Sequence, residues 1–194
     1  MTISVWAAVL VGATARADEP FLPVDLGSAT GYIVPEKAAA ADKAGLTASM
    51  PGVEKIDGFW TPTEANARQA ERALRETLER AAKDPSLLFP DLAGKEKGDF
   101  MLELERDNLN QVLQHYDVYG RQYAGIILMG KRLVFCNYAD VRGVDFSRIY
   151  ISMDHYFATD GVTHFLLARF DPEAKTCANI SMIGPWRRKG EVVK

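Results

Sequence analysis

Apolar residues recur at three- and four-residue spacing between residues 61 and 83, a pattern typical of a helix with one buried face. The stripe consists of Ala67, Ala70, Leu74, Leu78 and Ala81. The opposite face carries acid-before-base pairs at i,i+4 spacing, each worth roughly 0.2–0.5 kcal/mol. These pairs are Glu64/Arg68, Glu71/Arg75, Glu76/Arg80 and Glu79/Lys83. The pattern therefore predicts a long amphipathic helix that lies on a core.

Residues that favour helix starts and stops mark both ends of this helix. Thr61 and Glu64 are spaced as a capping box, in which each side chain accepts a hydrogen bond from the other residue's backbone N–H. Pro62 is expected at the first helical position, where its missing N–H costs nothing. Asp84 precedes a proline, and a residue before proline is pushed out of the helical region. We therefore expect the helix to end there.

The rest of the chain changes from helical to strand-like patterning. A second helix is predicted near residues 100–116, with Asp99 or Asp107 as its cap. Apolar runs bounded by turn residues then predict strands at 119–129, 131–138, 148–152, 163–170 and 176–183. Gly130, where a positive φ costs little, is expected in the first turn. If Gly130 and Lys131 form that turn, Met129 pairs with Arg132.

Helices that precede strands, rather than alternating with them, indicate an α+β fold. We expect a long helix and a shorter one packed on a four- to five-stranded antiparallel sheet, as in a cystatin-like fold or an α+β roll. The hairpin at 119–138 is apolar on both faces, and the helices can cover only one. The other face is expected to be covered by residues 21–34, by a second subunit or by a ligand, and residues 21–34 are the preferred interpretation.

Three segments are expected along the chain: a signal peptide at 1–17, an irregular stretch at 18–57 and a single α+β domain at 58–194. Residues 3–13 are an apolar run too short to span a bilayer, and Ala15-Arg16-Ala17 is an A-x-A cleavage site. The alternative is a buried N-terminal strand or helix. Within 18–57, residues 32–34 are a candidate short strand and 38–41 a candidate helical turn. The expected location is periplasmic or secreted.

Composition excludes several classes of function. The 194 residues carry a net charge of −3, which gives no electrostatic footprint for nucleic acid, and no cofactor or metal motif is present. The basic run at 187–189 is interpreted as a solvated end.

In an exported protein, Cys136 and Cys177 are expected to form a disulfide worth about 2–4 kcal/mol. The alternative is two buried thiols.

Four short motifs resemble a family of uncharacterised bacterial exported proteins and lipoproteins. They are Gly58-Phe59-Trp60-Thr61-Pro62-Thr63-Glu64, Arg121-Gln122-Tyr123-Ala124-Gly125-Ile126, Gly130-Lys131-Arg132 and Cys136-Asn137. The family pattern has a Gly-rich turn before the penultimate strand, where this chain has only Asp160-Gly161. The resemblance implies the α+β fold and export. It implies no activity and no catalytic residue.

Candidate catalytic residues are few and dispersed. Asp154, His155 and His164 lie close in sequence and suggest a general acid–base pair, which requires hydrogen-bond reach. His115 is placed late in the second helix, where its charge is favoured structurally. Cys136 lies in a core-like strand, and Ser152 lacks a nucleophile-elbow context.

Three functional hypotheses follow. The leading one is a non-enzymatic exported module that binds an envelope protein or a small ligand, as an inhibitor or accessory factor does. The competing one is a small hydrolase that uses Asp154, His155 or His164. The third is a structural envelope protein.

Polar residues at the mouth of an apolar strand mark the place where a pocket is most expected. Trp60, Arg121, Gln122 and Tyr123 are candidates for its rim. The alternative for Arg121 and Gln122 is a salt bridge to the helix together with a strand-end hydrogen bond.

The signal-peptide interpretation predicts the start of the mature protein. Protein recovered from the cell envelope should begin at Asp18, as measured by intact-mass and N-terminal mass spectrometry. A chain that retains Met1 would contradict export.

Overall fold

The computed structural model describes residues 20–50, 55–140, 145–147 and 164–183. Its strands are β1 (Leu22–Asp25), β2 (Thr30–Val34), β3 (Gly58–Trp60), β4 (Gly120–Leu128), β5 (Lys131–Asp140), β6 (His164–Asp171) and β7 (Thr176–Ile183). Its α-helices are α1 (Glu36–Ala41), α2 (Lys43–Ala48), α3 (Glu64–Lys83) and α4 (Phe100–Gln114). The predicted strand at 148–152 and the predicted signal peptide lie outside the described residues.

The strands form one mixed, mostly antiparallel sheet with the order β1-β2-β4-β5-β6-β7. Two short strands share one edge of β4: β2 pairs with it in parallel beside Arg121–Ala124, and β3 pairs antiparallel beside Gly125–Ile127. The α+β class is confirmed. The prediction of a four- to five-stranded cystatin-like roll is wrong, because the sheet has seven strands. β1 and β2 come from residues 18–57, which were expected to be mostly irregular, and β3 lies just before α3, where no strand was predicted.

Both faces of the β4–β5 hairpin are buried, as predicted. Helices α3 and α4 cover the face that carries Tyr123, Cys136 and Tyr138. The other face, which carries Ala124 and Phe135, packs against α1 and α2. Outside the strands, the buried residues of this second core are Phe21, Ala39, Leu46, Met50 and Ile56. The preferred cover, residues 21–34, therefore contributes Phe21 there, whereas most of that segment enters the sheet as strands and α1, α2 and the residues after them supply the rest.

The hairpin turn lies one residue earlier than predicted. Leu128 pairs with Lys131, so that Met129 and Gly130 form the turn with φ of 50° and 77°. Two consecutive positive φ values are what a type I′ hairpin turn requires. Because the partner of each residue changes by two positions, the faces that the side chains occupy are unchanged.

The start of α3 is set by a capping box two residues later than predicted. The Thr63 hydroxyl accepts from the Asn66 N–H at 3.2 Å, and the Asn66 side chain accepts from the Thr63 N–H at 3.0 Å. The Thr61 hydroxyl instead accepts from the Glu36 N–H at the start of α1, at 2.9 Å. The predicted box of Thr61 and Glu64 is therefore wrong, and Pro62 precedes the cap. At α4, Asp99 is the cap and accepts from two backbone N–H groups.

The predicted disulfide between Cys136 and Cys177 is wrong, because both cysteines are free. Cys136 lies on β5 and Cys177 on β7, with β6 between them. Neighbouring strands are about 4.8 Å apart, so two strand spacings exceed the Cα separation of roughly 4.4–6.8 Å that a disulfide spans.

The Thr63 cap gives a testable prediction. Thr63→Ala should lower the free energy of unfolding by about 1 kcal/mol, because the Asn66 N–H loses its partner. Urea denaturation followed by circular dichroism measures this change. Gln69→Ala, at an exposed position in the interior of the same helix, is the matched control and should stay within about 0.5 kcal/mol of the native protein. Equal effects of the two substitutions would contradict the cap.

Candidate functional site

Arg121 is fully buried on β4 and faces α3. Its Nη1 donates to the Tyr119 carbonyl at 2.7 Å and its Nη2 to the Tyr116 carbonyl at 2.8 Å. Its Nε lies 3.3 Å from Glu71 Oε1, in an ion pair with α3. A buried charge is tolerated when it is paired and hydrogen-bonded, and Arg121 meets both conditions. The predicted salt bridge from Arg121 to the helix is confirmed.

Glu71 joins this arginine to two tyrosines. Its Oε2 accepts from the Tyr138 hydroxyl at 2.6 Å and from the Tyr123 hydroxyl at 2.8 Å, so both carboxylate oxygens have partners. Only 12% of the Glu71 side chain is exposed. Its predicted pairing with Arg75 is therefore wrong, because the carboxylate turns inward.

Aromatic rings enclose the ion pair. The Arg121 guanidinium carbon lies 5.1 Å from the centre of the Tyr116 ring and 5.5 Å from that of Tyr138, within cation–π range. Burial, with a smaller contribution from the charge of Glu71, raises the pKa of Tyr116 and Tyr123. We call Glu71, Tyr116, Arg121, Tyr123 and Tyr138 the buried polar cluster. Its three hydroxyls stay protonated at neutral pH, and those of Tyr123 and Tyr138 donate to Glu71.

The exposed edge of Glu71 opens into a groove of about 440 Å³ between α3 and the turn that joins β1 to β2. Its lining consists of Asp25, Leu26, Gly27, Ser28, Arg68, Glu71, Arg72 and Arg75. This volume falls in the range of small-ligand sites, roughly 300–1,000 Å³. We call this feature the α3 groove.

Three arginines follow one side of the α3 groove. Arg68 pairs with Glu64 at 3.0 Å, as predicted, and its Nε donates to the Asp25 carbonyl at 3.1 Å. Arg72 is exposed and makes no hydrogen bond or ion pair within the described part of the chain. The third arginine, Arg75, does not form its predicted pair with Glu71.

Arg75 reaches along the helix and across to the end of α4. Its Nε pairs with Glu79 at 3.2 Å, and its guanidinium lies 5.5 Å from the centre of the Tyr116 ring. The predicted Glu79/Lys83 pair is replaced by this contact. Arg80, in turn, donates to the Thr77 hydroxyl at 3.4 Å, where a pair with Glu76 was expected.

The four residues predicted for a pocket rim do not form one rim. Arg121 and Tyr123 meet on the helix-covered face of the sheet. Gln122 points to the other face, where it donates to the Phe146 carbonyl at 2.9 Å and accepts from Asn137 at 3.3 Å. Trp60 pairs with Gly125 further along β4. Strand alternation separates these side chains.

Most of the predicted catalytic candidates lie outside the residues that the structure describes. Ser152, Asp154 and His155 lie outside the described residues, and His164 is described only as the first residue of β6. His115 is exposed and forms the C-cap of α4. The hydrolase hypothesis is therefore untested.

The two thiols are suited to packing rather than to nucleophilic attack. Burial raises the pKa of Cys136 well above its ordinary value and that of Cys177 to about 12. Both thiols are therefore protonated at neutral pH. The buried-thiol alternative holds for Cys136, whereas Cys177 is half-buried. Among residues 20–50, 55–140, 145–147 and 164–183, no group of three or more His, Cys, Asp or Glu side chains could hold a metal ion.

Comparison with known proteins adds no relative: no protein-family model, curated protein or solved structure matches this chain. The resemblance to exported proteins and lipoproteins therefore stays a prediction.

The buried ion pair gives a second testable prediction. Glu71→Met or Arg121→Met alone should cost about 3–5 kcal/mol of unfolding free energy, because each leaves one buried charge without its partner. The double substitution should cost far less than the sum, since it removes both charges. Urea denaturation of the four proteins measures the coupling.

An exposed acid on the same helix supplies the control for this cycle. Glu76→Met should change the unfolding free energy by no more than about 0.5 kcal/mol. Strict additivity of Glu71→Met and Arg121→Met would show that the two side chains do not stabilise the fold as a pair.

Proposed function

We propose that this chain is an exported, non-enzymatic α+β module that binds a partner or ligand in the α3 groove, as an accessory or inhibitor protein of the envelope does. The observation that carries this proposal is the contrast between the floor and the wall of the groove. The floor is the buried polar cluster, which is held by hydrogen bonds and ion pairs. The wall consists of arginines on exposed, weakly held side chains.

The chemistry of the groove favours recognition over catalysis. Guanidinium groups are always protonated in proteins and therefore donate hydrogen bonds but accept no proton. The two acids of the lining are already engaged: Glu71 by Arg121 and two tyrosines, and Asp25 by the Gly27 N–H at 2.8 Å. The groove thus offers donors that can bind, with its acids held in structural roles.

The shape of the site supports a binding role as well. A rigid floor fixes the position of a ligand, and side chains that can change rotamer adapt to it, so that little of the fold has to reorganise on binding. Arg68 and Arg75 are held in pairs whose side chains are about half exposed. Such surface pairs are worth roughly 0–1 kcal/mol and exchange partners easily.

Export is supported by the apolar run and the A-x-A site at the start of the sequence, and by the motifs that resemble exported proteins. In the part of the chain that the structure describes, no helix has the length and apolar character needed to cross a membrane. An envelope location would place the α3 groove where extracytoplasmic partners or solutes reach it.

Affinity capture from envelope extract tests the proposal. The exported protein, its Arg72→Glu variant and an Arg80→Glu variant are immobilised in parallel, and bound proteins and small molecules are identified by mass spectrometry. Arg80 lies on α3 outside the groove lining and is the matched control. We expect a species that the native protein and Arg80→Glu retain equally and that Arg72→Glu retains about tenfold less.

Two results would overturn the proposal. Equal retention by all three proteins would show that the α3 groove is not the binding site. Hydrolysis of ester, amide or phosphoester substrates by the native protein, lost in Asp154→Asn, would instead support the hydrolase hypothesis.

A further inference from the structure

We infer that the α3 groove recognises one oxyanion group, a carboxylate or a phosphate, on its ligand, with Arg72 as the principal contact and Arg68 and Arg75 closing around it. This inference rests on the proposed function and names the chemistry of the ligand. It follows from the spacing of the arginines, from their spare donors and from the charge around them.

The spacing places three guanidinium groups along one wall. Residues 68, 72 and 75 are separated by four and three positions, which puts them on the same side of a helix. All three line the groove opposite the turn at Leu26–Ser28. Arginine presents a planar fork of donors that matches carboxylate and phosphate oxygens in bidentate fashion.

The donors that would contact an oxyanion are available. Each guanidinium has five N–H groups, and Arg68 uses one on Glu64 and one on the Asp25 carbonyl. Arg72 uses none within the described residues. The Ser28 hydroxyl, exposed on the opposite wall, can add a further donor.

The acids near the groove select for a single oxyanion group rather than for a polyanion. Glu71 in the lining is engaged by Arg121 and two tyrosines, whereas the exposed Asp25 carboxylate accepts, among the described residues, only from the Gly27 N–H and adds a negative charge to the groove. Glu64, Glu79 and Asp117 hold the outer arginines from outside the lining, with Asp117 3.9 Å from Arg75. They bring the local charge close to neutral, which disfavours a nucleic acid or another extended polyanion. One oxyanion group can still replace one of these weak exposed partners.

Backbone NMR of the full exported protein tests the inference with two probes. Inorganic phosphate and succinate are titrated separately at low ionic strength, with sodium chloride of matched ionic strength as the blank. At least one probe should bind saturably and shift the amide signals of residues 26–28 and 68–75. The stronger probe identifies the source of the oxyanion as phosphate or carboxylate.

Variants distinguish recognition from general charge attraction. Arg72→Gln should weaken binding about tenfold, Arg72→Lys should weaken it less because the charge remains, and Arg80→Gln should bind as the native protein does. Saturation by neither probe, or equal weakening by Arg72→Gln and Arg80→Gln, would overturn the inference. If the oxyanions fail to bind but Arg72→Glu still abolishes capture from the extract, the proposed function stands and only the ligand chemistry is wrong.

Discussion

The fold depends on one buried ion pair between the long helix and the central strand of the sheet. Removing two charges from water costs several kcal/mol for each ion, and only good geometry with further hydrogen bonds offsets that cost. Arg121 obtains two backbone carbonyls and Glu71, while Glu71 obtains two tyrosine hydroxyls. Sliding α3 by one turn along the sheet would separate Glu71 from Arg121 and from both tyrosine hydroxyls. The ion pair therefore fixes the register of the helix, which an apolar stripe of alanine and leucine specifies only loosely.

The same pair divides the surface of α3 into a fixed part and an adaptable part. Inward, Glu71 is bound from three directions. Outward, Arg68 is held by Glu64 and the Asp25 carbonyl, and Arg75 by exposed acids and the face of Tyr116. Arg72 is held by none of the described residues. A ligand in the α3 groove, as proposed, would leave the core undeformed, because the side chains that can rearrange are not those that hold the helix in place.

Patterning predicted the elements better than it predicted their contacts. The stripe from Ala67 to Ala81 identified the buried face of α3, and alternation assigned the two faces of the β4–β5 hairpin. The inward turn of Glu71 was missed, although it lies four residues after Ala67 and three before Leu74, within the stripe itself. Its acidic character suggested an exposed pair with Arg75. Its actual partner, Arg121, is fifty residues further along the chain, and the sequence alone does not show that the two meet. The candidate strand at 32–34 was correct as part of β2, but its partner β4 lies about ninety residues further along the chain and could not be assigned from the sequence.

The parallel contact of β2 with β4 has a consequence for the order of folding. Gly31 lies beside Arg121, so the edge of β2 that faces β4 gains its partner only after most of the chain has been made. Distant pairings of this kind slow folding, since a large loop must close before the contact is gained. The hairpin formed by β1 and β2 therefore joins the rest of the sheet only after β4 has been synthesised.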